Sequence, residues 1–177
     1  MKQIRRSVFE TNSSSTHALC VEGKEMTDNL RVNVDDNKVH VEFGEFGWGF
    51  DKYNDAYTKL QYVITMAFQL NCDCKTMGEF RGTDEFREIN EIVSQHCNCD
   101  GVHVDDEIIH HRDWNEICGS VDHQSVCSFD ALFKECTLEQ FIFSPQITLI
   151  IASDGYDWRD KCDPDKIYIP SYEEFWG

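Results

Sequence analysis

Between Asp55 and Leu70, the residues Ala56, Tyr57, Leu60, Val63, Ile64, Ala67 and Phe68 recur at intervals of three and four. That spacing predicts a helix with a broad apolar face, and such a face must be covered by another layer. A sheet is indicated by Ile147-Thr-Leu-Ile-Ile-Ala152, an uncharged, β-branched run of strand length that reads as a buried strand. Further strands are expected at Gln3–Phe9, at Thr16–Val21, at Gly101-Val-His-Val-Asp105 and at Lys166-Ile-Tyr-Ile169. Arg31–Val34 and Lys38–Phe43 alternate apolar with polar residues around Asp35-Asp36-Asn37, which predicts a hairpin. A second helix is expected from about Asp84 to His96, with Thr83 as its N-cap and Asp84 and Glu85 at the positive end of its dipole. Short helices are expected at Asp130–Cys136 and Leu138–Phe143. Strands at both ends with helices between them predict an α+β (mixed α/β) fold, one domain over residues 1–177 in which helices cover a β-sheet.

The charge balance narrows the function classes. Acids number 33 against 16 bases, a net charge of −17. A field of that sign repels phosphate backbones and attracts basic surfaces, so direct nucleic-acid binding is not expected, whereas a basic protein partner is. The charge serves either solubility or imitation of nucleic acid. No apolar run approaches the roughly 20 residues that span a bilayer, and the basic start Met1–Arg6 leads into Glu10-Thr11-Asn12 instead of an apolar leader. No membrane association is expected, and the cytoplasm is the expected location.

Two polar segments carry the candidate chemistry. Asn12-Ser13-Ser14-Ser15-Thr16-His17 collects small hydrogen-bonding residues and an imidazole between strand-like flanks. Such a loop can surround phosphate oxygens with donors, or it can be a turn whose side chains bond their own backbone. Val121-Asp122-His123-Gln124-Ser125-Val126 sets a second imidazole beside a carboxylate and a hydroxyl between two valines. On a strand, His123 and Ser125 share one face; as a helix entry, Asp122 is a cap. In the functional reading Asn12, Ser13, Ser14 and Ser15 hold an anion. His17 and His123 then serve as acid and base, with Asp122 orienting an imidazole and Ser125 supplying a hydroxyl. Arg5, Arg6 and Lys59 are the bases expected to reverse the acidic field locally.

The nine cysteines are scattered. Cys72-Asp-Cys74 and Cys97-Asn-Cys99 offer four thiolates for tetrahedral zinc. The two pairs follow the two predicted helices, so an antiparallel helix hairpin would hold them about 20 Å apart; a parallel or crossed arrangement would bring them together. Cys20, Cys127 and Cys136 sit among apolar residues and read as core side chains. The acids Asp105-Asp106-Glu107 could bind a cation, but they lack a calcium-loop pattern and read first as solvated surface.

The stretch Arg6-Ser-Val-Phe-Glu-Thr-Asn-Ser-Ser-Ser-Thr-His17 resembles the opening of a group of uncharacterised proteins encoded by bacteriophages and bacteria. Glu45-Phe-Gly-Trp48, Tyr53-Asn-Asp55, Lys59, Asp122-His-Gln-Ser125 and Phe141-Ile-Phe-Ser-Pro145 are similar to later parts of that group. The resemblance implies a phage or mobile-element setting, with the serine-rich loop and the Asp-His-Gln-Ser segment acting together; it implies no reaction. Two functions follow as expectations. One is a protein that binds or processes a phosphate-bearing, nucleotide-like small molecule. The other is a non-catalytic acidic inhibitor of a host defence protein, acting as a nucleic-acid mimic.

Overall fold

The computed structural model describes residues 16–26, 29–47, 49–110, 115–121, 129–152 and 162–168. The order of elements is β1 (Thr16–Val21), β2 (Val39–Val41), β3 (Glu45–Phe46), β4 (Phe50–Tyr53), α1 (Ala56–Leu70), α2 (Met77–Phe80) and α3 (Asp84–Cys97). There follow β5 (Val102–Val104), β6 (Ile109–His110), β7 (Asn115–Glu116), β8 (Ser120–Val121), α4 (Phe129–Leu132), α5 (Leu138–Phe143), β9 (Ile147–Ala152) and β10 (Ile167–Tyr168). The fold is mixed α+β. Its main sheet has the order β10-β1-β9-β4, antiparallel throughout. Among the described residues no helix is long and apolar enough to cross a membrane.

The expected helices form where local chemistry fixes their ends. Asp55 caps α1 by accepting from the Thr58 amide at 2.8 Å, and Thr83 caps α3 by accepting from the Phe86 amide. Thr137 and Gln140 cap α5 reciprocally, satisfying two of the amides a helix start leaves unpaired. α1 buries Leu60, Val63, Ile64, Ala67 and Phe68 in one cluster with Leu19 of β1 and Ile147, Leu149 and Ile151 of β9. The apolar face is not the one the spacing drew in full. Tyr57 is exposed, and Lys59 takes a buried place instead.

The expected hairpin is half right. Its turn exists: Asp36 and Asn37 adopt positive φ, 44° and 62°, the backbone of a tight two-residue turn, and Asp35 bridges to Lys38. Residues 31–34, however, form no strand. β2 pairs in parallel with β5 instead, Val39 opposite Val102, His40 opposite His103 and Val41 opposite Val104. The upstream limb is held elsewhere, the Leu30 amide donating to Phe143 O at 2.8 Å. Pairing with β5 puts Val39, Val41, Val102 and Val104 inside, whereas Val34, which the hairpin would set opposite Val39, is left exposed. The strand expected at Gln3–Phe9 lies outside the described residues.

Candidate functional site

His17 lies on β1 and is fully buried. Its Nδ1 shares a 2.9 Å hydrogen bond with the phenol of Tyr62 on α1. Burial holds the Tyr62 phenol well above its ordinary pKa, so it keeps its proton, and the bond ties sheet to helix. The Tyr62 ring meets Phe46 edge-on at 5.2 Å, and Phe46 stands opposite Val121 in the parallel pair of β3 and β8. Asn12, Ser13, Ser14, Ser15, Asp122, His123 and Ser125 lie outside the described residues. Their immediate neighbours in sequence do not. The residue that follows the serine loop by two places and the residue that precedes Asp122 are thus linked through two rings.

Arg5 and Arg6 also lie outside the described residues. Lys59 does not reverse the surface field, because it never reaches the surface. Its Nζ donates to Ser144 O at 2.9 Å and to Ile147 O at 3.0 Å and stands 5.8 Å from the centre of the Phe141 ring. Burial lowers its pKa to about 8, against the opposing pull of Asp55.

Basic side chains gather elsewhere. A cavity of about 320 Å³ is lined by Lys38, Arg81, Arg87, Asn90, Asp100 and His103, among others. Lys38 closes the turn before β2, Arg81 is the C-cap of α2, and Arg87 lies one turn into α3. Arg87 approaches Asp84 only at 3.5 Å on open surface, a pairing of small energetic weight. Asn90 sets the floor: its Oδ1 accepts from the Val102 amide at 2.8 Å. Gly101, at φ +99°, leaves no room there for a Cβ.

His103 belongs to a second constellation at the same place. His40 Nδ1 lies 2.8 Å from Asp105 Oδ1, and His103 Nε2 lies 3.6 Å from the same oxygen. Among the described residues, this trio is the group of His, Cys, Asp or Glu side chains whose ligand atoms all come within 4.8 Å of one another, so it can hold a metal ion. Asp105 and Glu107 are exposed, as expected of solvated acids; the two histidines beside Asp105 are what the local reading missed. Asp105 faces the two imidazoles, and Asp106 accepts from the Phe43 amide at 2.5 Å. A signal was present in the sequence, since Val39-His-Val-Glu42 and Val102-His-Val-Asp105 repeat one pattern of valine, histidine, valine and acid.

Cys72, Cys74, Cys97 and Cys99 make no such group. The cause is the orientation of α1 and α3. Asn71, just past the end of α1, donates to Glu85 at the start of α3 at 2.9 Å, and at their other ends His96 of α3 and Lys59 of α1 both reach the end of α5, at Phe143 and Ser144, so the helices run antiparallel. The first thiol pair therefore sits at the start of α3 and the second at its end, roughly 20 Å apart at 1.5 Å per residue. Cys72 is exposed and Cys99 is buried. Burial also pushes the Cys97 thiol up to about 11, away from the thiolate that a metal requires. Of the cysteines expected in the core, Cys136 is buried, Cys20 is half-buried, and Cys127 lies outside the described residues. No protein-family model matches the chain, and neither a curated protein nor a solved structure matches it.

Proposed function

We propose that this protein binds or processes a phosphate-bearing small molecule of the nucleotide class, with the anion held in the cavity of Lys38, Arg81 and Arg87. The observation that supports this is one of sign. In a chain of net charge −17, three cationic side chains and a single carboxylate, Asp100, line one cleft, and Lys38 and Arg81 make no ion pair among the described residues. Two guanidinium forks and an ammonium suit a phosphate group, because the charged donors bond its oxygens in pairs. A volume of about 320 Å³ lies at the small end of ligand clefts, and Asn90 adds a polar group to its wall. Zinc belongs to this reading as the ion at the cavity's rim, where a phosphate oxygen would complete its coordination.

A second placement of the same ligand is favoured by the ring-to-ring link from His17 to Val121. There Asn12 and Ser13 to Ser15 hold the anion, and His17 and His123, with Asp122 and Ser125, handle protons.

Calorimetric titration with ADP, ATP and pyrophosphate at low salt tests both placements. Arg81→Ala and Arg87→Ala are expected to weaken binding about tenfold or more each. Binding unchanged by these substitutions but lost in His123→Ala with Ser14→Ala moves the ligand to the second placement. If no phosphate compound binds the intact protein, the small-molecule reading fails. The alternative then stands, a non-catalytic acidic inhibitor that contacts a basic host protein by imitating nucleic-acid charge.

A further inference from the structure

We propose that His40, His103 and Asp105 form a site for one divalent transition-metal ion, zinc foremost, with a coordination position left open to solvent. The proposal takes from the proposed function only the choice of zinc; its residues are fixed by geometry that does not depend on any phosphate ligand.

The argument begins with the repeated tetrapeptide. Alternation along a strand sends valines at positions one and three to one face and the histidine and acid to the other. β2 and β5 pair in parallel and in register, so the two copies present the same faces together. Val39, Val41, Val102 and Val104 are buried, anchoring both strands in the core. His40 and His103 are then forced side by side on the outer face, their rings 5.0 Å apart between centres. Asp105 follows β5 and is held by its amide, which donates to Val41 O at 2.9 Å. Neither imidazole can drift far from the other without unseating a buried valine.

The spacing of donor atoms fits an ion. Zinc bonds of about 2.1 Å at tetrahedral angles place ligand atoms about 3.4 Å apart. The distances of 2.8 and 3.6 Å to Asp105 Oδ1 bracket that value, and small rotations of half-exposed side chains would equalise them. All three side chains are 38–40% exposed, so an ion has a route in and retains a free face. Two imidazoles and one carboxylate favour zinc, iron(II), cobalt(II) or nickel(II) over the all-oxygen shells of magnesium and calcium. Cysteine does not compete at this spot, because the three ligands are supplied by imidazole and carboxylate alone.

The test uses the full-length protein, reduced and freed of metal, with zinc and cobalt(II) as the only probes. Zinc titration by calorimetry is expected to show one site per chain. Asp105→Asn and His103→Ala should each weaken it about tenfold or more. Cobalt(II) should give visible bands without the near-ultraviolet absorption of a thiolate-bound ion. Circular dichroism establishes that each variant is folded, and Asp105→Asn, which keeps size and shape, serves where His103→Ala is not. One equivalent of zinc that persists in both variants overturns the proposal, as does a thiolate band abolished by Cys72→Ser with Cys74→Ser. Loss of zinc binding in Asp105→Asn, with pyrophosphate binding to the metal-free protein intact, supports the metal site and separates it from the phosphate reading, because Asp105 does not line the phosphate cavity.

Discussion

Lys59→Ala is expected to lower the stability of the protein by about 3–5 kcal/mol, and Lys59→Met by only about 1 kcal/mol. The amine is fully buried between α1, the end of α5 and the start of β9, where it serves Ser144 O and Ile147 O. Alanine removes both donors and most of the methylene stem, leaving a cavity beside Phe141. Methionine keeps the stem and orphans the two carbonyls, but it also removes a charge that the interior disfavours. Burial lowers the amine's pKa from 10.5 to about 8. At about 1.4 kcal/mol for each pH unit, that is about 3 kcal/mol against the charged form.

The sign of the pH dependence follows. Below pH 8 the amine is charged in the folded and unfolded chains alike, and the folded state bears the cost of its burial. As the pH rises from about 8 to 10.5, the folded protein releases this proton while the unfolded chain retains it. The unfolded state then binds more protons, so stability rises with pH. Cys97 and Cys136, pushed up to about 11 by burial, act in the opposite direction above pH 9; Cys97 does so alike in wild type and variant, whereas Lys59 draws the Cys136 value slightly down, an attraction the variant lacks. The stability of wild type minus that of Lys59→Met, measured by chemical denaturation, should therefore widen by up to about 3 kcal/mol across that window. A difference that stays flat means the ammonium is not buried in the native protein.

Lys59 also illustrates what the sequence could and could not convey. The caps Asp55, Thr83 and Thr137 act within three or four residues, so α1, α3 and α5 were legible in the chain. The β-branched run of β9 was legible for the same reason, since its character is local. A buried lysine was not, because the carbonyls that satisfy it come from 85 and 88 residues further along. The hairpin expectation failed at the same boundary. Its turn is set by Asp36 and Asn37, but the choice of β5 as partner depends on matching valines more than sixty residues away. Cys72, Cys74, Cys97 and Cys99 hinged on whether two helices run parallel or antiparallel, which Asn71 and Glu85 decide through a side-chain contact that no spacing encodes. The imidazole pair of β2 and β5 lay between these cases. Each tetrapeptide was plain to see, and only the register made the two copies one site.

Gly119→Ala is the second substitution with a large expected effect, about 2–4 kcal/mol of lost stability. Gly119 has φ +152° and lies back to back with Gly44. A Cβ there would stand 2.7 Å from Gly44 O, 3.0 Å from Gly44 N and 3.1 Å from Gly44 C. All three are backbone atoms, and they cannot yield as a side chain would. Gly44 O accepts from the Ser120 amide at 2.9 Å, and the Gly44 amide donates to Thr65 Oγ1 on α1 at 2.9 Å. The collision therefore forces β8 away from both β3 and the helix. Val121, whose amide donates to Gln69 Oε1 at 2.9 Å, moves with it. Gly49→Ala is the control. Gly49 also has positive φ, +82°, but a Cβ there meets nothing within 4 Å, so its cost is the backbone preference alone, about 1–2 kcal/mol. Denaturant midpoints of the two variants separate conformational strain from steric collision. Equal losses would mean that Gly119 and Gly44 do not touch, and the anchoring of β8 against α1 would have to be abandoned with them.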